Sequence, residues 1–354
     1  MVKKINLSLP RQWNACSREQ LETIAAVMGE QVARQDRYHP FSMLNVKVAL
    51  FFVFAGIEIV KGPNPEVPVE DQYYTCRFSD KGCRLFRRKK SAETFSLYLW
   101  QINYWLSPKS KAAKGTVENL TQGAGILDWL DSESEVFLTK FVYEEVRRRK
   151  AGKWFARKRT FKGPLTDLDG FSWAQYRFAT ETMANYTKLS NSLLKMQELS
   201  RFTPEQIAQQ TRNIDLAKAM FLATIFNART DFVDTNTGMV KHDFHYESNQ
   251  CVDNAEYFRS FPEVQWQVIL FWWTGIMYTL SKRYPHVFKV QKIDRKKHVP
   301  TTPLEVYTAT TATMQKYAGL TEDQVNNQSY SLVLEHLERL SKENEELDKS
   351  RRRK

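Results

Sequence analysis

The sequence predicts a mainly α fold, an irregular multi-helix protein with one β-hairpin near residues 72–86. Three observations predict it. Among 354 residues only 13 are glycine and 12 proline, few for a sheet-rich chain that needs many tight turns. Apolar residues recur at helical spacing through most of the long segments. Residues 72–86 set aromatic and β-branched side chains on both sides of a turn that contains Gly82. Hydrophobic residues make up 42% and aromatics 13%, which excludes low-hydrophobicity disorder for most of the chain.

Residues 17–33 read as a helix capped by Ser17, with Gln20 as the reciprocal partner and Leu21, Ile24, Ala25 and Met28 on one face. Residues 43–60 read as a second, more buried helix that ends before Gly62-Pro63-Asn64-Pro65. After the hairpin, residues 92–106 read as a helix stopped by Pro108, residues 109–125 as a loop, and residues 126–146 as a helix. In the second half, residues 172–199 carry an apolar stripe at Trp173, Tyr176, Phe178, Ala179, Met183 and Tyr186. Thr203-Pro204-Glu205-Gln206 has the form of a cap followed by proline at the first helical position. Residues 214–226 and 264–280 read as buried helices, 229–253 as irregular, 292–303 as a basic linker and 304–317 as a helix. The organisation expected is an N-terminal helical lobe over 1–146, a basic linker over 147–162, a C-terminal helical lobe over 163–328, and a charged terminal helix with a basic tail over 329–354.

The net charge of +12 is concentrated. Arg147, Arg148, Arg149, Lys150, Lys153, Arg157, Lys158, Arg159 and Lys162 lie in one run without an acidic residue, and Trp154 and Phe155 stand inside it. A second cluster holds Arg77, Lys81, Arg84, Arg87, Arg88, Lys89 and Lys90 beside Tyr73, Tyr74, Phe78 and Phe86. Such runs attract phosphate backbones or acidic protein surfaces, and interleaved aromatics suit single-stranded nucleic acid through stacking. A solvated linker and a solvated hairpin face are the plainer reading. No nucleic-acid-binding motif decides between them.

In the terminal helix, Val333, Leu337, Leu340, Asn344 and Leu347 alternate spacings of four and three, a heptad seam with an asparagine inside it. Binding a partner helix, self-association and packing on its own domain are all compatible with that seam. His242 and His245 stand three residues apart, with Cys251 and Asp253 following, a loose metal-ligand spacing that polar loop residues also produce. Nothing resembles a phosphate-binding glycine loop, a zinc-protease helix or a nucleophile elbow. The reading therefore leans away from an enzyme and implies no cofactor. Four cysteines, Cys16, Cys76, Cys83 and Cys251, set no disulfide framework and read as reduced, mostly buried thiols. The start, MVKKINLSLPRQW, lacks the apolar core of a signal peptide, and the apolar runs at 48–57 and 268–280 are short for a membrane span. The expected location is the cytoplasm, with no membrane partner.

Several short motifs carry a resemblance. Phe161-Lys162-Gly163-Pro164-Leu165 precedes LDGFSWAQYRFATETMANY, residues 168–186. A small-apolar segment follows at 219–226 (AMFLATIF), and an aromatic helix then ends in Tyr284-Pro285-His286-Val287-Phe288. Leu9-Pro10-Arg11-Gln12-Trp13-Asn14 opens the chain and a charged helix closes it. This arrangement resembles proteins encoded in tail-gene clusters of phages and prophages of Bacteroidetes. The resemblance implies a tail-assembly factor, a chaperone or connector acting on a partner such as the tape-measure protein in the bacterial host cytoplasm.

Overall fold

The structure is a computed structural model that describes residues 12–35, 40–78, 94–99, 127–130, 137–152, 157–199, 202–243, 246–288 and 303–353, with the single positions 10, 102 and 155. Helix dominates these residues, and their strands form three small antiparallel sheets. Two compact units are present. The first holds Met1–Leu138 with Glu263–Phe271, and the second holds Thr139–Pro262 with Trp272–Lys354.

In the first unit, α1 (Arg18–Ala33) starts at a complete capping box. Ser17 Oγ accepts from Gln20 N at 3.2 Å, and Gln20 Oε1 accepts from Ser17 N at 2.8 Å. Leu21, Ile24 and Ala25 are buried, as their spacing predicts. The next helix, α2 (Met43–Phe54), is shorter than the expected span to residue 60. The chain turns at Gly56, φ +63°, and continues as β1 (Ile57–Lys61). A left-handed residue just past a helix suits glycine, and the β-branched residues behind it favour an extended chain.

Strand β2 (Tyr73–Phe78) lies where the hairpin was predicted. Its two edges are taken by β1 and by β3 (Phe95–Tyr98), with Ile59 opposite Cys76 and Tyr74 opposite Leu97. The second arm of the predicted hairpin lies outside the described residues, as do most of 100–126. Residues 95–98, expected in a helix, are a strand because their backbone groups pair with β2. A short apolar run carries no period that separates helix from strand.

In the second unit the helix expected over 126–146 is replaced from residue 139 by non-helical chain, with Phe141, Tyr143 and Val146 buried. That chain leads into β4 (Glu145–Arg148), which pairs with β5 (Arg159–Lys162). The run expected as a linker therefore has paired strands at its ends. Two long helices follow, α3 (Trp173–Leu199) and α4 (Pro204–Ile225), the latter opened by a Thr203/Gln206 capping box with proline at the first helical position. They pack antiparallel: Gln175 Nε2 donates to Thr224 O at 3.0 Å, and Gln210 Nε2 donates to Leu189 O at 2.9 Å. The short strand β6 (Asn227–Ala228) then joins β5.

Residues 229–253, expected to be irregular, contain a hairpin, β7 (Thr230–Val233) and β8 (Val240–Asp243). Gly238, φ +65°, sits in its turn, and Asp234 pairs with Lys241 across it. The short α5 (Cys251–Ala255) precedes α6 (Glu263–Arg283), whose residues 263–271 belong to the first unit and 272–283 to the second. Then come α7 (Pro303–Ala318), α8 (Glu322–Asn327) and α9 (Tyr330–Arg353). The core of the second unit is aromatic. Phe226 stacks on Phe258 at 5.4 Å, Phe141 meets Trp272 edge-on at 4.6 Å, and Trp272 Nε1 donates to Thr139 O at 3.0 Å. Among the described residues no helix is long and apolar enough to cross a membrane.

Candidate nucleic-acid interface

The basic run becomes a site through strand alternation. Val146 and Phe161 face each other across β4 and β5 and both point into the core. Arg148 and Arg159, the next opposed pair on that face, end at its margin. There the Arg148 guanidinium lies 4.4 Å from the Phe261 ring centroid, and Arg159 donates to Asn254 Oδ1 at 3.0 Å. Arg147 points the other way and is exposed, 3.4 Å from Glu145 Oε1. One edge of β5 is taken by β6 and the other by β4, so β4 is an edge strand among the described residues.

Beyond β4 the chain turns at Ala151 and Gly152, the latter at φ +72°. Ala151 N donates to Glu256 O at 3.0 Å, and Lys150 Nζ stands 5.6 Å from the Tyr257 ring. Arg147, Arg148, Arg149 and Lys150 thereby line one open depression of about 350 Å³, closed by Ala151, Gly152 and Ser260. Among the described residues its lining holds four cations and no carboxylate. Arg157, Lys158 and the fully exposed Phe155 follow in the same hairpin. Lys153 and Trp154 lie outside the described residues, as do Arg87, Arg88, Lys89 and Lys90.

Sequence reasoning missed the wall opposite the hairpin, residues 256–261, which supplies Tyr257, Ser260 and Phe261. Their sequence, Tyr257-Phe258-Arg259-Ser260-Phe261, carries no motif, and only the tertiary structure brings it beside residues far back along the chain.

The other predicted positions separate. In the C-terminal seam Val333 is fully buried, Leu337 and Leu340 are half-buried, and Asn344 and Leu347 are exposed. The first turns of α9 thus pack in their own unit, and only the distal half keeps an open face. His242 lies on β8 opposite Asp231, while its side chain and His245 lie outside the described residues. No group of three or more metal-ligating side chains occurs among the described residues. Cys251 is buried with its Sγ 3.6 Å from Tyr246 Oη and 3.8 Å from Thr224 Oγ1. Burial pushes its thiol pKa up, which disfavours the thiolate a metal needs. Cys16 and Cys76 are also free and buried.

A second cavity of about 340 Å³ lies among α3, the turn after α6, α7 and α9. Trp173, Tyr176, Phe288, Leu334 and Leu337 form its apolar wall.

No protein-family model matches the chain, and no curated protein or solved structure is significantly similar to it. The resemblance to tail-cluster proteins therefore rests on its short motifs alone.

Proposed function

We propose that this chain binds single-stranded nucleic acid through the β4–β5 hairpin. The observation that carries this reading is the depression lined by Arg147, Arg148, Arg149 and Lys150, with no acidic residue among its described lining. Cations gathered at one surface bind phosphates by releasing counterions, and the exposed Phe155 follows them along the same hairpin. Arg147 and Arg149, alternate residues on the outward face of the hairpin, are exposed. The test is fluorescence anisotropy with a labelled single-stranded RNA and its DNA counterpart, titrated at several salt concentrations. Arg147→Gln, Arg149→Gln and Lys150→Gln together should weaken binding at least tenfold and flatten the log–log salt slope by about 2, at roughly 0.7 for each phosphate no longer neutralised. Arg148 is left intact because it packs on Phe261. Absent binding at low salt, or binding that the triple variant does not weaken, rejects this reading.

A second reading follows from the tail-cluster resemblance: a tail-assembly chaperone or connector acting on the tape-measure protein in the host cytoplasm, or self-associating through the same helix. It is supported by the distal half of α9, where Asn344 and Leu347 remain exposed in line with the seam. Co-expression with the tape-measure protein should give a complex that Leu347→Glu dissociates. A tape-measure protein that stays soluble and unbound removes this reading.

A further inference from the structure

The depression at the end of the β4–β5 hairpin differs from a plain charged surface, because its turn is anchored before any ligand arrives. Three contacts tie it to residues 256–261. Arg148 lies 4.4 Å from the Phe261 ring centroid, Lys150 Nζ lies 5.6 Å from that of Tyr257, and Ala151 N donates to Glu256 O at 3.0 Å. Side chains fixed in advance lose less freedom on binding, which favours a ligand that matches them in shape and charge. Two carboxylates on the adjoining segments stay out of the lining. Glu145 lies 3.4 Å from Arg147 and offsets it in part, and Glu256 lies 2.8 Å from Arg259.

The opposite wall adds a neutral donor. Ser260 is exposed and supplies the only hydroxyl among the described lining residues. Gly152, at φ +72°, has no atom within 4 Å of where a Cβ would stand, so the turn leaves open room beside the cations. Arg147, Arg148, Arg149 and Lys150, with one hydroxyl, thus surround about 350 Å³. That is more positive charge than a single internal phosphate matches. An internal phosphodiester carries one negative charge and two unesterified oxygens. A terminal phosphomonoester carries about −1.5 to −2 at pH 7 and three such oxygens.

We propose that this depression seats the terminal phosphate of a nucleic-acid strand, an inference that rests on the nucleic-acid reading above and deepens it. The arginine and lysine donors take the unesterified oxygens in charge-assisted hydrogen bonds, with the Ser260 hydroxyl as a further donor. The protein thereby selects strands with a phosphorylated end over strands that end in hydroxyls. A 5′-phosphate and a 3′-phosphate share this chemistry. The rest of the strand leaves the depression with opposite polarity in the two cases, so one end is preferred.

The test compares three forms of one single-stranded oligonucleotide of about 10 nucleotides, labelled at an internal base so that both ends are free. One form carries a 5′-phosphate, one a 3′-phosphate, and one hydroxyls at both ends. By fluorescence anisotropy with the full chain, one phosphorylated form should bind about tenfold more tightly than the other two. Ser260→Asp puts a carboxylate into the lining at an exposed position and should bring the three affinities together. Ser260→Ala, which only removes the hydroxyl, should reduce the preference about threefold. Each variant is checked by its thermal melt. Equal affinity of the parent protein for all three forms overturns the proposal and leaves the nucleic-acid reading standing. So does an equal gain for both phosphorylated forms, which would mean that added charge alone is read, or a preference that Ser260→Asp leaves intact. Absence of binding by every form removes the nucleic-acid reading and this proposal with it.

Discussion

The Arg148 guanidinium lies 4.4 Å from the centroid of the Phe261 ring, while Arg147, its neighbour along the strand, points outward. Two adjacent arginines therefore have different work. Replacing Arg148 by Ala removes a cation–π contact and the packing of its aliphatic stem, at a cost of about 1 kcal/mol. Arg147→Ala should change stability by less than about 0.5 kcal/mol, since its one described partner, Glu145, is a surface pair. Urea denaturation of the two single variants measures the contrast, and equal losses would show that Arg148 does not hold the hairpin to residues 256–261.

Gly163 follows β5 at a close approach. A Cβ there would run into the Tyr143 carbonyl and the Phe141 ring. Both neighbours are buried, so neither moves aside easily. Gly163→Ala should cost about 3 kcal/mol, the upper end of ordinary overpacking, and lower the melting temperature by several degrees. A melt within one degree of the parent protein would mean that the backbone relaxes freely at this point.

Glu338 binds two successive amides of the turn after α6. A charged acceptor removed from two donors should cost about 2 kcal/mol in Glu338→Ala. Glu338→Gln keeps one acceptor oxygen and should recover part of that loss. Urea denaturation of Glu338→Ala and Glu338→Gln measures both losses, and a Glu338→Ala variant as stable as the parent protein would show that these two hydrogen bonds add nothing.

Alkaline pH should destabilise the protein. Burial pushes the Cys16 thiol from its usual 9 to about 12 and the Tyr330 phenol from 10 to about 12. Both groups hold their protons more tightly in the folded chain than in the unfolded one. The stability they contribute is complete below pH 9 and declines as pH rises from 9 through about 12. Urea midpoints at pH 7.5, 9 and 10.5 should fall over the last interval, and Cys16→Ala should fall less steeply than the parent protein. Identical slopes would show that Cys16 ionises as readily folded as unfolded.

The four best-bounded helices were legible because their signals are local. Ser17 with Gln20, and Thr203 with Pro204 and Gln206, mark helix starts through hydrogen bonds that close within three residues. In the predicted stripe Trp173, Tyr176, Ala179 and Met183 are buried, while Phe178 and Tyr186 are half-buried. The apolar run inside Glu263–Arg283 is long enough to read as helix from length alone. Strands were misread wherever the run was short. Residues 57–60, 95–98 and 145–146 all carry apolar side chains that suit either structure, and the pairing that makes them strands comes from other segments.

The sequence by itself determined that the chain is mainly helical, where the helices capped by Ser17 and Thr203 begin, and that its positive charge is gathered in a run at 147–162. These depend on composition and on contacts a few residues apart. Only the tertiary structure decided that the run folds back as a hairpin, that Arg148 is turned toward Phe261 while Arg147 faces outward, and that Trp173 and Leu337 share a cavity. Strand pairing, ring packing and cavity walls join residues tens to more than a hundred positions apart, and a pattern read along one segment contains nothing about the segment that will lie beside it.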